Sequence, residues 1–275
     1  MMRFFKFFPI FFVIIAIGFI VSCEDDNSTN PENQAPTIPP QSTLVMNFGD
    51  FPDSKSTVSP ENQSATKRNW LWAAGNVNYW NSLLTVTLTI PTLAFAEAFN
   101  HQPVQQPDGS WLWQYSISVD EGNFTAKLYG SQITEGVEWK MLLSKEEAYT
   151  DFEWFTGFSN LPATEGTWTL NKEPGMPVPF LSIEWKRNVQ EETADIKYTL
   201  ISPSLPQDGS YIFYGKTNEV PLNRFYKIFK ADQNNLIDIM WSYESSFGRV
   251  KDSVYFDDAN WHCWDDRLED TDCTE

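Results

Sequence analysis

Between Gly109 and Phe256 apolar and polar residues exchange places at almost every second position, and that period decides the fold class. Trp111, Trp113, Tyr115, Ile117 and Val119 share one parity, followed by Phe124, Ala126 and Leu128, then Val137, Trp139, Met141 and Leu143. Phe152 and Trp154, Trp168 and Leu170, and Leu181, Ile183 and Trp185 continue the series. Ile196, Tyr198 and Leu200, then Tyr211 and Phe213, Tyr226 and Ile228, and Ile239, Trp241 and Tyr243 complete it. Successive side chains of a strand point to opposite faces, so each set predicts one buried face. The punctuation is turn chemistry: Asp120-Glu121-Gly122, Glu135-Gly136, Glu165-Gly166, Asp208-Gly209 and Asp232-Gln233-Asn234-Asn235. Short loops between alternating runs predict an antiparallel meander of roughly nine to eleven strands. A sheet that long curls into a barrel or half-barrel.

Ahead of the meander the period changes. Val77, Trp80, Leu84, Leu88, Phe95 and Phe99 recur at helical spacings, predicting a helix over residues 67–101. Leu83, Val86, Ile90, Leu93, Ala94 and Ala96 fill much of the remaining circumference, as in a buried helix. Pro91 predicts a kink. A strand over Thr85-Val86-Thr87-Leu88-Thr89-Ile90 competes, but the helical spacing extends well beyond those residues. The expected fold is therefore mainly β (α+β): a curled antiparallel meander packed around or against one buried apolar helix. Residues 44–275 are read as a single domain, with the meander at 109–256 and an acidic tail at 257–275. Leu44-Val45-Met46-Asn47-Phe48 reads as a short strand or a strap. A faint likeness of Asp108-Gly109-Ser110-Trp111 to Asp208-Gly209-Ser210-Tyr211 hints at duplication.

The N-terminus addresses location. Arg3 and Lys6 precede an uncharged run from Phe7 to Val21. That run is shorter than the ~20 residues a spanning helix needs, so residues 1–22 fit a cleavable signal peptide. It ends in Ile20-Val21-Ser22-Cys23, which resembles the lipobox of bacterial lipoproteins. The resemblance implies acylation of Cys23, cleavage before it, and an acyl anchor in the outer membrane, facing the periplasm or the cell surface. An uncleaved anchor with an unmodified Cys23 is the alternative. Glu24-Asp25-Asp26 resembles the export signals of surface lipoproteins; a plain acidic spacer is the other reading. Residues 23–43 carry Pro31, Pro36, Pro39 and Pro40 among polar residues and are expected to be a lipidated, disordered tether.

Charge narrows the partners. Removing residues 1–22 takes two of 19 basic groups and none of 37 acidic ones, moving the net charge from −18 to −20. Nucleic acid is excluded as a partner, because its binding depends on cationic side chains. Charge equally disfavours anionic lipid, leaving the acyl anchor as the expected membrane contact. With Cys23 acylated, Cys263 and Cys273 remain as a pair and are expected to form a disulfide.

Catalytic patterns are thin. His101 and His262 are the two histidines; the first reads as a helix-end cap and the second as packing beside the disulfide. Glu138, Glu153 and Glu184 each precede a tryptophan, so alternation places them on the solvated face rather than in a glycosidase pair. Asp257, Asp258, Asp265 and Asp266 are the residues a calcium ion would use, against a solvated tail as the plainer reading. No catalytic residue, metal or cofactor is assigned. The leading expectation is a non-enzymatic binding or structural lipoprotein, whose partner could be a protein, a carbohydrate or an apolar ligand. A carrier or chaperone for an apolar ligand is the alternative; half-barrel lipoprotein carriers and lipocalins resemble the expected fold in outline only. A secreted hydrolase comes third.

Overall fold

The computed structural model describes residues 34–53, 66–190 and 193–273. The leader at 1–22, Cys23 and the first part of the tether lie outside the described residues. Residues 35–275 make one compact unit with its own core.

Among the described residues fourteen strands pair in sequence order, each antiparallel to the next. They are β1 (Val104–Gln105), β2 (Trp111–Val119), β3 (Gly122–Ile133), β4 (Gly136–Lys145), β5 (Tyr149–Ser159), β6 (Glu165–Glu173) and β7 (Met176–Asn188). Then come β8 (Thr193–Leu200), β9 (Tyr211–Lys216), β10 (Arg224–Lys230), β11 (Asn235–Trp241), β12 (Gly248–Lys251), β13 (His262–Trp264) and β14 (Asp270–Thr271). Eleven of them, β2 to β12, occupy the stretch where alternation predicts strands. The order ends at β1 and β14, which do not pair, so the meander is an open half-barrel.

Helix α1 (Arg68–Glu97) runs through Pro91 without ending, and a 3-10 turn extends it to Asn100. It packs against β2 near one edge of the sheet and against β12, β13 and β14 at the other. One face, with Trp70, Val77, Trp80, Leu84, Leu88 and Phe95, is buried in the core. The opposite face is open: Leu71, Tyr79, Val86 and Leu93 are exposed. The helix is thus half-buried rather than enclosed, because the half-barrel's concavity is shared with a second element.

That element is residues 35–53. The expected tether at 23–43 ends early, since Pro36, Pro39 and Thr43 are buried and Ala35 and Ile38 pack on the core. Leu44 and Met46 are buried as well, in a strap of 3-10 turns rather than a strand. Proline cannot join a ladder but suits an extended chain laid across one.

Two strands run out of phase with the alternation. In β5, Met141 pairs with Phe155 and Leu142 with Glu153, so Trp154 is a bulge residue. One extra residue shifts the phase, so that Phe155 is fully buried while Trp154 is only partly buried, in contact with Phe152. In β9, Ile212 and Tyr214 point inward, while Tyr211 and Phe213 contact Phe229 and Phe225 on the outer face. Tyr243, beyond the end of β11, is exposed.

Inward tryptophans face glycines on neighbouring strands. Gly157 pairs with both Trp139 and Trp168, Gly166 with Trp185, and Gly248 with Trp264. A Cβ at Gly157 would lie 2.1 Å from the Trp168 ring. The Gly109 and Gly209 turns both take positive φ (86° and 80°), and Ser110 and Ser210 are both buried. The four-residue likeness is thus a shared turn.

The acidic tail is structured. Cys263 and Cys273 form a disulfide with a Cα–Cα distance of 5.2 Å, and Trp264 and Leu268 are buried. Asp270 accepts from the backbone N–H groups of Arg68 (3.1 Å) and Asn69 (2.9 Å) and from the Thr66 hydroxyl. Lys67, the residue before the helix, offers no side-chain cap. A carboxylate some 200 residues away in sequence does that work.

Two outcomes are expected in urea denaturation. Asp270→Ala loses about 1–2 kcal/mol, the range for an N-cap, and reducing the disulfide of wild type loses roughly 2–3 kcal/mol for so short a loop. An unchanged midpoint after reduction would contradict the stapling role. Gly157→Ala is expected to destabilise by about 1–3 kcal/mol through overpacking against the Trp168 ring and the Thr167 carbonyl, and a neutral result would contradict this close packing.

Candidate functional site

The inner face of the half-barrel carries aromatic side chains whose polar ends need partners, and the strap supplies them to four on the sheet, while the buried Tyr226 hydroxyl and Trp185 Nε1 have none among the described residues. Trp168 Nε1 donates to Thr43 Oγ1 (3.3 Å) and the Tyr198 hydroxyl donates to the Leu44 carbonyl (3.0 Å). The Tyr214 hydroxyl donates to Asp50 Oδ2 (2.7 Å), and Trp241 Nε1 donates to the Asp50 carbonyl (2.8 Å). Trp70 Nε1 on α1 donates to the Pro52 carbonyl (3.2 Å). The strap therefore crosses the strands from the neighbourhood of Pro36, beside Gly130 on β3, to Asp50 beneath β11. Helix α1 crosses back: its N-terminal end meets β14, and near its C-terminal end the Tyr115 hydroxyl on β2 donates to the Ala94 carbonyl.

Between these two crossing elements runs a groove of about 270 Å3. Val45, Met46 and Phe48 form its strap wall, Leu84, Leu88 and Leu93 its helix wall, and Tyr198 also lines it. Asn81, Thr85, Thr89 and Thr92 add uncharged polar groups, and the buried Thr92 hydroxyl has no hydrogen-bond partner. Every lining side chain is uncharged, which suits an apolar group with at most a hydroxyl or carbonyl at one end. Ligand pockets for drug-sized molecules run from about 300 Å3 upward, so one alkyl chain is the scale of occupant.

Charged groups cluster elsewhere. Arg224 is buried 3.7 Å from Asp50 Oδ2 and lies under the Tyr243 ring. Asp252, also buried, accepts from Trp72 Nε1, Asn235 Nδ2 and the Val254 and Tyr255 backbone N–H groups. It caps the short helix α2 (Ser253–Phe256), where alternation predicts the end of a strand. Trp72 stacks on Tyr255 at 3.6 Å, with Lys230 over Trp72 and Arg68 over Tyr255. This carboxylate ties α1 to β11 and α2.

The residues singled out from the sequence are dispersed. His101 faces Glu97 (3.0 Å) and stacks on Tyr115 at the C-terminal end of α1. His262 faces Asp258 (3.1 Å) and stacks on Phe256. Both imidazoles are held by a carboxylate and a ring, not by a nucleophile. Glu138, Glu153 and Glu184 are exposed on the outer face, the last 3.6 Å from Lys197. Among the described residues no three acidic, histidine or cysteine side chains converge as a metal site. Of the four candidate calcium ligands, Asp258 caps the Asn260 N–H and Asp265 caps those of Arg267 and Glu269. Asp257 ends α2 at a φ of 60°, and Asp266 is exposed beside Asp265 on an outer-face depression of about 740 Å3.

Sequence reasoning read the strap wall, Leu44 to Phe48, as a short strand or a strap but missed the groove, because no local pattern shows that this segment lies alongside α1. The signal that could have found it is the parity of Leu44 and Met46, which are buried while Val45 is exposed.

Burial holds the hydroxyls of Tyr115, Tyr198, Tyr214 and Tyr226 well above the ordinary tyrosine range, and Asp50 adds to the effect at Tyr214. Their folded-state pKa values are raised, so their contribution to stability is complete below about pH 10, the unfolded value, and is lost as pH rises through the folded values. Absorbance titration at 295 nm should show these four of ten tyrosines ionising only as the protein unfolds. Smooth ionisation of all ten near pH 10 would contradict their burial.

No protein-family profile, curated protein or solved structure matches the chain.

Proposed function

We propose that this is an exported, lipid-anchored protein of the bacterial outer membrane that works as a non-enzymatic binding or structural module. The Cys263–Cys273 disulfide carries the reading. Such bonds form and persist in oxidising compartments such as the periplasm and the cell surface. Here the bond closes the hairpin that caps α1, so an oxidising environment strengthens the fold itself. The lipobox-like Ile20-Val21-Ser22-Cys23 supports the anchor, and eleven residues separate Cys23 from Ala35, where the compact unit begins. Extended, that segment would reach roughly 40 Å.

The interior supports binding at a surface over enclosure. Strap and helix occupy the concave side, and Trp, Tyr and Phe rings fill the space between them and the sheet. The groove favours the carrier reading in a restricted form, in which one acyl chain is held along the helix rather than a whole lipid inside a barrel.

Growth with labelled palmitate should mark the protein, and Cys23→Ser should abolish the mark and leave residues 1–22 attached. An unlabelled wild type refutes the anchor. For the carrier reading, native mass spectrometry of the detergent-extracted protein should reveal a co-purifying lipid, and a clean apo mass counts against it.

A further inference from the structure

The open face of α1 is unlike the rest of the molecule. From Asn69 to Ala96 there is no charged residue, in a chain whose net charge is −18. Two thirds of the helix's most apolar window is not buried inside the fold. Val86 is 86% exposed, Tyr79 61%, Leu71 58% and Leu93 43%. At 100° per residue these four fall on one stripe, roughly 33 Å long. Gly75, Asn78, Ser82 and Thr89 lie between them, small or uncharged, and the groove opens alongside. An exposed apolar stripe of this length marks a contact surface.

We infer that this face of α1 lies flat on the surface of a lipid bilayer, with the groove admitting an acyl chain. Three observations favour lipid over a second copy. The chain enters the compact unit at Ala35 and Pro36, on the same concave side as α1 and at the β2–β4 end, where the C-terminal part of the helix packs. A tether leaving there brings this side of the body to the membrane and raises the local lipid concentration. The hydroxyls and amides of the stripe suit the headgroup zone, where hydrogen-bond partners abound, and the tyrosine suits it too. The stripe itself carries no acidic group from Asn69 to Ala96, Glu97 and Asp270 stand only at its two ends, and Lys67 and Arg68 stand at the helix start. The helix does not span the bilayer, because Trp70, Trp80, Leu84, Leu88 and Phe95 hold its other face to the sheet.

The inference draws its proximity to lipid from the anchored reading, so the test replaces the anchor. Residues 35–275, the compact unit, are held by an N-terminal hexahistidine tag on phosphatidylcholine vesicles containing nickel-chelating lipid and a photoactivatable phosphatidylcholine. Mass spectrometry should find lipid adducts concentrated in peptides from residues 68–100. In the Val86→Asp, Leu93→Asp double variant the yield should fall about tenfold, a difference of ~1.4 kcal/mol in contact. Near-UV circular dichroism reports whether that variant is folded, and the wild-type adduct map is decisive without it. Adducts spread evenly over β3, β4 and α1, or a sedimenting dimer cross-linked through α1, would overturn the inference. An unlabelled Cys23 would sink the anchor and leave this result untouched.

Discussion

The interior depends on one reciprocal need. Tryptophan and tyrosine contribute large apolar surfaces to the concave face, but each carries a polar atom that is costly to bury unpaired. An irregular strap has the complementary problem, since its carbonyls have no ladder to join. Trp168, Tyr198, Tyr214 and Trp241 on four different strands donate to residues 43–50, so each side satisfies the other. The strap thereby spans the sheet from within, as a closing set of strand bonds would in a barrel. Glycines opposite the tryptophans make room for rings that neighbouring side chains would otherwise crowd out.

A second dependency joins the ends of the chain's folded part. The N-terminus of α1 leaves backbone N–H groups without helical partners, and Asp270 on β14 accepts from two of them. The last strand, two residues long, is kept in place by the disulfide, by pairing with β13 and by this cap. Helix and C-terminal hairpin therefore stabilise each other, and neither arrangement is complete until contacts some 200 residues apart have formed. Such non-local contacts slow folding.

The meander and the helix were legible because each has a strong period. Phase was lost where the period was ambiguous. Tyr211-Ile212-Phe213-Tyr214 is apolar on both parities, so only the pairing of Tyr214 with Tyr226 decides which residues face inward. At Trp154 one inserted residue shifted the phase, so that Phe155 rather than Trp154 is fully buried. Composition misled in two other places. Pro, Gln, Ser and Thr at 35–43 look like a segment unable to order itself, yet here the ordering comes from packing on the core and from an aromatic donor, Trp168, on a strand far along the chain. The aspartates after residue 256 look like solvated charge, yet Asp258, Asp265 and Asp270 each accept backbone N–H groups. Carboxylates that cap turns and helices leave no local apolar pattern to read.

The same ambiguity explains why α1 reads as fully buried. An apolar circumference is consistent with a helix inside a closed barrel, but closure would leave no place for the strap. With the strap occupying part of the concavity, the helix can bury only one side, and its other side keeps an apolar, uncharged character that burial does not explain. Solubility alone would favour Lys and Glu at Tyr79, Val86 and Leu93, as on the outer strands, where Glu138, Glu153 and Glu184 face solvent. The contrast between a charged convex sheet and an uncharged helix on the other side is thus a division of surfaces. One side is kept in water, and the other retains the residue types of an interface.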